Sequence, residues 1–170
     1  MLQNMTEGAP LKLIIPFMVP LLIGNVFQQL YNTVDTIVVG QFVGKEALAA
    51  VGTTSSIINT LVGFAAGLST GASVVISQCY GSHDHKGLHH AVHTSICVTF
   101  LLGAAFTAVG ILGADTLLRL QSTPEDVFTE AHTYLTIYFS GMLGLLTYNM
   151  GSGILRAVGD SRRPLYFLVF

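Results

Sequence analysis

Apolar residues run in four long blocks, at residues 11–43, 53–80, 91–118 and 131–155, each set off from the next by a short polar stretch. Every block meets or exceeds the roughly 18 residues that a helix needs to cross a bilayer. A fifth block opens at Pro164 and is cut off at Phe170, too early for a spanning helix to satisfy its carbonyls in lipid. The pattern predicts an all-α polytopic membrane protein with four complete transmembrane helices and, at residues 164–170, the start of a fifth. It reads the chain as the front part of a longer protein.

Composition sharpens this picture. Hydrophobic residues make up 51% of the 170 positions and charged residues 9%, far below the roughly 25% charged share of soluble domains. The opening MLQNMTEGAP has no basic n-region, and the block after it is too long for the core of a signal peptide, so the first helix is expected to act as its own insertion signal. Cys79 and Cys97 stand in no metal or redox spacing and read as small apolar packing residues. No nucleic-acid partner is expected.

Basic residues orient the bundle. If the helices alternate, Lys12, Lys86, Arg156, Arg162 and Arg163 fall on one side and only Lys45 and Arg119 on the other. Cytoplasmic loops carry the excess of Lys and Arg, so the N-terminus is expected in the cytoplasm of a cell whose plasma (inner) membrane holds the protein. Tyr80 and Tyr166 suit the membrane interfaces, whereas Tyr134, Tyr138 and Tyr148 are too spread along one helix for a belt and, with Asn149, read as cavity lining.

Polar residues inside the apolar blocks carry the candidate chemistry. Asp35 lies about nine residues from Gly44, or roughly 13 Å of helix, near the middle of a ~30 Å core. A carboxylate at that depth costs at least about 2.5–3.5 kcal/mol, so it must face protein or water, or be protonated. Gln28, Tyr31, Asn32 and Asp35 recur at three- and four-residue spacing, which makes one polar stripe with Gly24 a turn away. Hydrogen bonding between helices accounts for neutral Gln28 and Asn32; for Asp35, with no Lys or Arg in the four blocks beyond Lys12 at the very start of the first, reversible binding of sodium or a proton is the stronger reading. Gly63, Gly67 and Gly71 repeat every four residues and predict a helix packing face. Pro16 and Pro20 predict a bend near the inner end of the first helix.

These residues fall in stretches that together resemble the multidrug and toxic compound extrusion (MATE) transporters: PLLIGNVFQQLYNTVDTIVVGQFVGKEALAAVG at residues 20–52, GLSTGASVVISQCYG at 67–81 and GSGILRAVGDSRRP at 151–164. The resemblance covers nearly the whole chain. It implies twelve helices in two six-helix lobes around a cavity that opens alternately inward and outward, with this chain supplying most of the first lobe. It further implies export of organic, often cationic compounds in exchange for sodium or protons, with membrane lipid and the remaining helices as partners and no organic cofactor. Asp35 corresponds to the first-helix acid proposed in parts of the family to bind the coupling cation. Arg156 and Asp160 correspond to residues that tie helices together at the inner gate.

One segment departs from the family's usual short, charged loop. GSHDHKGLHHAVH carries His83, His85, His89, His90 and His93. If helical, His85, His89 and His93 share a face at i, i+4 and i+8, a spacing that can hold zinc or nickel. Clustered imidazoles also suit pH sensing, and histidine in a polar loop is otherwise an acceptable stand-in for lysine. Two other classes compete with an exporter. A lipid-linked oligosaccharide flippase is expected to line its cavity with cations for a pyrophosphate, and the four blocks hold no Lys or Arg beyond Lys12 at the start of the first. An intramembrane enzyme needs a nucleophile with its base or a metal-ligand set at depth, and neither H-E-x-x-H nor G-x-S-x-G occurs.

The orientation is directly testable. With Cys79 and Cys97 changed to serine in the full-length protein, Ser122→Cys is expected to react with an impermeant thiol reagent in intact cells and Ser82→Cys to stay unlabelled. The reverse labelling would invert the topology.

Overall fold

The computed structural model describes residues 10–169. Six α-helices follow one another: α1 Pro10–Val38, α2 Lys45–Gly81, α3 His85–Leu120, α4 Phe128–Ser140, α5 Met142–Ala157 and α6 Arg162–Val169. A five-residue π-helical turn, Val39–Val43, extends α1, and no strand occurs among the described residues. The all-helical expectation holds, with three differences in the elements. The second helix begins eight residues before the predicted residue 53, because the Glu-Ala-Leu-Ala-Ala run after Gly44 is made of strong helix formers. Gly44, at φ 117°, makes the break from the π turn. The third helix begins at His85, so most of the histidine segment is helix rather than loop.

The third difference is in the fourth block, which divides at Gly141 into α4 and α5. The Gly141 N–H is shared between the carbonyls of Ile137 at 3.3 Å and Tyr138 at 3.1 Å, a local tightening that interrupts the regular ladder. Three uninterrupted helices are therefore long and apolar enough to cross a membrane among the described residues. The joined α4–α5 pair covers the fourth predicted block. α1 runs unbroken through Pro16 and Pro20, which leaves the carbonyls of Lys12 and Pro16 without helical N–H partners.

Three helices end in the same turn. After α5, Gly159 sits at φ 86°, its N–H bonds the Arg156 carbonyl and the Asp160 N–H bonds that of Leu155. This 5→2 and 6→1 pair closes the last turn with a left-handed residue. His83 after α2 and Ser122 after α3 occupy the same position at φ 56° and 55°, with Asp84 N–H on Cys79 and Thr123 N–H on Leu118 completing each turn. Asp84 then caps α3 by accepting from the Gly87 N–H at 2.9 Å. A Cβ at Gly87 would collide with that carboxylate, so the glycine and the cap belong together.

The core lies where α2 and α3 meet α4 and α5. Ala65, Met142 and Leu146 form one buried cluster, and Ala114, Leu118, Ala131, Leu135 and Phe139 anchor a second nearer the opposite end. Three glycines permit the close approaches. A Cβ at Gly110 would enter the Phe139 ring, one at Gly103 would lie 3.2 Å from the Leu143 Cα, and one at Gly153 would meet the hydroxyls of Ser69 and Ser73. At that last contact Ser69 donates a 2.7 Å hydrogen bond to the Asn149 carbonyl, joining α2 to α5. At the far end the Gln121 amide donates to the Thr53 carbonyl at 2.8 Å, and Arg119 lies over Phe128 at 5.3 Å.

The expected packing face at Gly63, Gly67 and Gly71 meets no helix among the described residues. All three are exposed, and an added Cβ at any of them meets nothing within 4 Å among the described residues. The face of α2 that packs carries Ala65, Ser69 and Ile76 instead, because the polar Ser69 can bond a carbonyl across the interface while a glycine cannot.

Gly153→Ala in the full-length protein is expected to cost about 1–3 kcal/mol through overpacking against Ser69. Ser69→Ala, which removes the obstructing hydroxyl, should recover part of that loss, so the two substitutions will not add. Thermal melts of the purified variants and the double variant measure both; strict additivity would refute the contact.

Candidate functional site

A cleft of about 740 Å³ opens between α1, α2 and the C-terminal end of α5. Its polar lining comes from three directions. α1 contributes Asn25 and Gln28, α2 contributes Thr70, Ser73 and Ser77, and α5 contributes Asn149 and Arg156. Phe17, Val62, Ala66 and Val74 supply apolar surface between them. A second pocket of about 90 Å³ lies between α1, α5 and α6. Asn25, Gln28, Asn149 and Arg156 line both and so form the wall that separates them.

The α2 hydroxyls are already committed as donors. Thr70 donates to the Ala66 carbonyl at 2.8 Å, Ser73 to Ser69 at 2.7 Å and Ser77 to Val74 at 2.9 Å. Their oxygens are left with acceptor lone pairs only. Asn149 uses its amide N–H on the Leu145 carbonyl at 2.9 Å, which leaves its side-chain oxygen as a free acceptor as well. Arg156 is the one charged side chain in either lining among the described residues.

Of the residues proposed from sequence, Gln28 and Asn149 come together in this cleft. Tyr31, Asn32 and Tyr138 do not. Tyr31 is 73% exposed, Asn32 is exposed, and Tyr138 packs against the Ala65–Met142–Leu146 cluster. The cause for Tyr31 and Asn32 is geometric, since α1 packs on α6 and reaches α2 through the π turn that follows it, which leaves this part of the stripe exposed. Asp35 falls within α1, and its side chain lies outside the described residues. Asn25, Thr70, Ser73 and Ser77 were missed, and Arg156 was expected in a tie with Asp160 rather than in this cleft. Asn25 had a signal, because Asn25, Gln28, Asn32 and Asp35 continue the three-and-four spacing; the serines of α2 had none, since their face depends on where α5 lands.

Two further expectations need correction. His85, His89 and His93 do lie on successive turns of α3, yet no group of three His, Cys, Asp or Glu among the described residues could hold a metal ion. The His89 and His93 rings are 5.5 Å apart, but i to i+8 covers about 12 Å of helix axis, too far for one ion to bridge. The expected Arg156–Asp160 tie is also replaced. Asp160 is buried, accepts the N–H groups of Arg162 and Arg163 at 3.1 Å each, and pairs with the Arg163 guanidinium at 3.1 Å. Its place beyond the Gly159 turn sends it to the start of α6.

Long apolar helices around a polar cleft are the architecture of a multi-pass membrane protein. The MatE family model matches residues 20–170, and the chain belongs to this family. It is 36% identical over 167 residues to the probable multidrug resistance protein YpnP of Bacillus subtilis, covering 98% of this chain and 38% of that protein. It is 27% identical over 158 residues to the FAD transporter of Shewanella oneidensis, covering 92% of this chain and 35% of that protein. The fold superposes with a TM-score of 0.89, at 31% identity, on a MOP superfamily transporter from Pyrococcus furiosus, over 95% of this chain and 36% of that one. A multidrug resistance MATE family transporter solved in an outward-facing conformation gives the same TM-score, identity and coverage. The chain thus spans little more than a third of the length of these relatives.

Proposed function

We propose that this chain supplies the inner-cleft part of a cation-coupled antiporter that exports organic, often cationic compounds by alternating access, with sodium or protons as the coupling ion. The observation that carries the reading is the polar-walled cleft between three helices of an otherwise apolar bundle. Its volume of about 740 Å³ falls within the roughly 300–1,000 Å³ of pockets that enclose drug-sized molecules. Small organic molecules are its substrates, and the remaining helices of the full-length transporter complete its walls. The protein sits in the plasma (inner) membrane with its N-terminus in the cytoplasm, where the excess of basic residues belongs.

Asp35 is the coupling residue in this scheme. It is seven residues past Gln28 on α1, hence on the same helical stripe and about 10 Å further along the axis. An antiporter must bind its substrate and its coupling ion in alternation, and an acid near the substrate's path lets one exclude the other. The competing flippase reading is weaker, because a pyrophosphate calls for several cationic side chains and the described cleft has Arg156 alone.

The test is Asp35→Asn in the full-length protein, which preserves size and hydrogen bonding but holds the site neutral. Ion-driven efflux of a fluorescent organic cation should be lost while the amount of protein in the membrane stays near wild type. Efflux within about twofold of wild type, equivalent to only ~0.4 kcal/mol in barrier, would remove Asp35 from the coupling step.

A further inference from the structure

The histidines at the start of α3 stand apart from the cleft. No α3 residue lines either cavity, and none of these histidines enters an ion pair among the described residues. Lys86, His89, His90 and His93 are all exposed, and their three- and four-residue spacing sets them on one face of the helix. The imidazoles crowd there, with the His89 ring 6.2 Å from that of His90 and 5.5 Å from that of His93. Further along, the same face carries Phe100, Leu101, Ile111 and Leu112, all exposed, while Thr99, Gly103, Gly110 and Ala114 form the buried side.

Depth separates the two parts of this face. Between Lys86 and Asp115 α3 has no Asp, Glu, Lys or Arg. Counted back from Asp115, a hydrocarbon core of ~30 Å takes about 20 residues and ends near Ser95. Phe100 and Leu101 then lie at acyl-chain depth, and His93, His90 and His89 fall about 3–9 Å beyond it, in the headgroup layer, with Lys86 a turn further out.

We propose that this face of α3 binds an anionic phospholipid, with its acyl chains against Phe100 and Leu101 and its phosphate among His89, His90 and His93, and that the contact forms as the imidazoles take up protons. In the orientation proposed above, the leaflet is the cytoplasmic one. Imidazolium donates from both ring nitrogens and adds a charge, where neutral imidazole has one N–H. Charges at neighbouring rings repel one another, and the start of the helix dipole adds to that repulsion. A protonated cluster therefore calls for an anion, and an anionic headgroup in turn favours protonation. The contact is strong at acidic pH and is lost as pH rises through the ordinary histidine range. A zwitterionic choline headgroup fits less well, because its cation would meet the imidazolium charges.

No acid at this end of the bundle competes for the role. Asp84 caps α3, and Asp160 is engaged by the start of α6 and the Arg163 guanidinium. The other titratable groups here are Cys79 and Tyr80 at the end of α2, Arg156 at the end of α5 and Arg162 beside Arg163; on α3 itself the Cys97 thiol lies 4.0 Å from His93 Nδ1. α4 carries its titratable groups toward the opposite end, where His132 pairs with Asp115.

Leu101→Cys labelled with bimane, in full-length protein whose other cysteines are changed to serine, reports the lipid at this face. In nanodiscs of phosphatidylcholine mixed with phosphatidylglycerol, acyl-chain bromine on one lipid or the other quenches the label and gives the local preference for the anionic lipid. That preference is expected to be about fivefold or more at about pH 6, the worth of a basic charge beside an anionic surface, and under about twofold at about pH 8. The His89→Gln, His90→Gln, His93→Gln triple variant keeps hydrogen bonding without the charge. It should show under about twofold preference at both pH values, with quenching by brominated phosphatidylcholine unchanged as the sign of an intact, lipid-facing helix. A label at Leu112→Cys, in the other leaflet, should show no dependence on pH. The proposal is overturned if the preference at Leu101 does not change with pH, if Leu112 shows the same change, if the triple variant retains it, or if neither lipid quenches the Leu101 label. Suppression by inorganic phosphate but not by chloride of equal ionic strength would assign the cluster to a soluble anion and overturn it as well.

Discussion

The contact between α2 and α5 at Ser69, Asn149 and Gly153 governs the rest of this structure. Helices in an apolar medium gain little from burying more apolar surface, so their association rests on close packing and on hydrogen bonds across the interface. Gly153 lets the two backbones approach, and the Ser69 hydroxyl uses that approach to reach the Asn149 carbonyl. With this contact in place, Ser73 and Ser77 on the next turns of α2 come opposite Asn149 and Arg156 on α5. The cleft stays open because α1, which closes its other side, is held by α6 and by the π turn against α2 rather than by close packing on the pair. Gly103 and Gly110 play the matching part on the other side of α5 and α4, where they admit Leu143 and Phe139.

The helix ends carry as much functional meaning as the helices. Leu-Arg-Ala-Val-Gly-Asp reads as a turn in which four residues have distinct tasks. Leu155 and Arg156 provide the capped carbonyls, Gly159 takes the left-handed position, and Asp160 crosses over to hold the first N–H groups of α6. A charge-assisted bond from a buried carboxylate to backbone N–H groups is strong enough to fix the direction of the next helix. The same turn separates Arg156 from the acid that lies four residues later in sequence. A structural device for starting α6 thus leaves a guanidinium available to the cleft.

Much of the fold was legible from the chain alone. Block length and the scarcity of charge identify an all-helical membrane bundle, because the bilayer sets a minimum length for each span and a cost for each charge. The motifs at residues 20–52, 67–81 and 151–164 pointed to the family that residues 20–170 match. Gln28 and Asn149 were also legible, as polar side chains that an apolar helix would not otherwise carry. The stripe continuing through Tyr31 and Asn32 was read correctly as a stripe on α1, but spacing on one helix does not say how far along it a neighbour reaches.

What only the tertiary structure decided is which face meets which. The sequence by itself determined the number and placement of the apolar blocks, the orientation signal and the polar stripe, since each depends on local composition and on the 3.6-residue period. It singled out Gly63, Gly67 and Gly71 as packing glycines, while among the described residues the close approaches fall at Gly103, Gly110 and Gly153. It paired Arg156 with Asp160, yet a left-handed glycine between them directs the acid to Arg163. In both cases the deciding quantity is the position of a partner helix or the direction of a turn, and neither is encoded in the periodicity of a single segment. The physical reason is that association between apolar helices is selected by steric fit and interhelical hydrogen bonds, which exist only once two surfaces have been brought together.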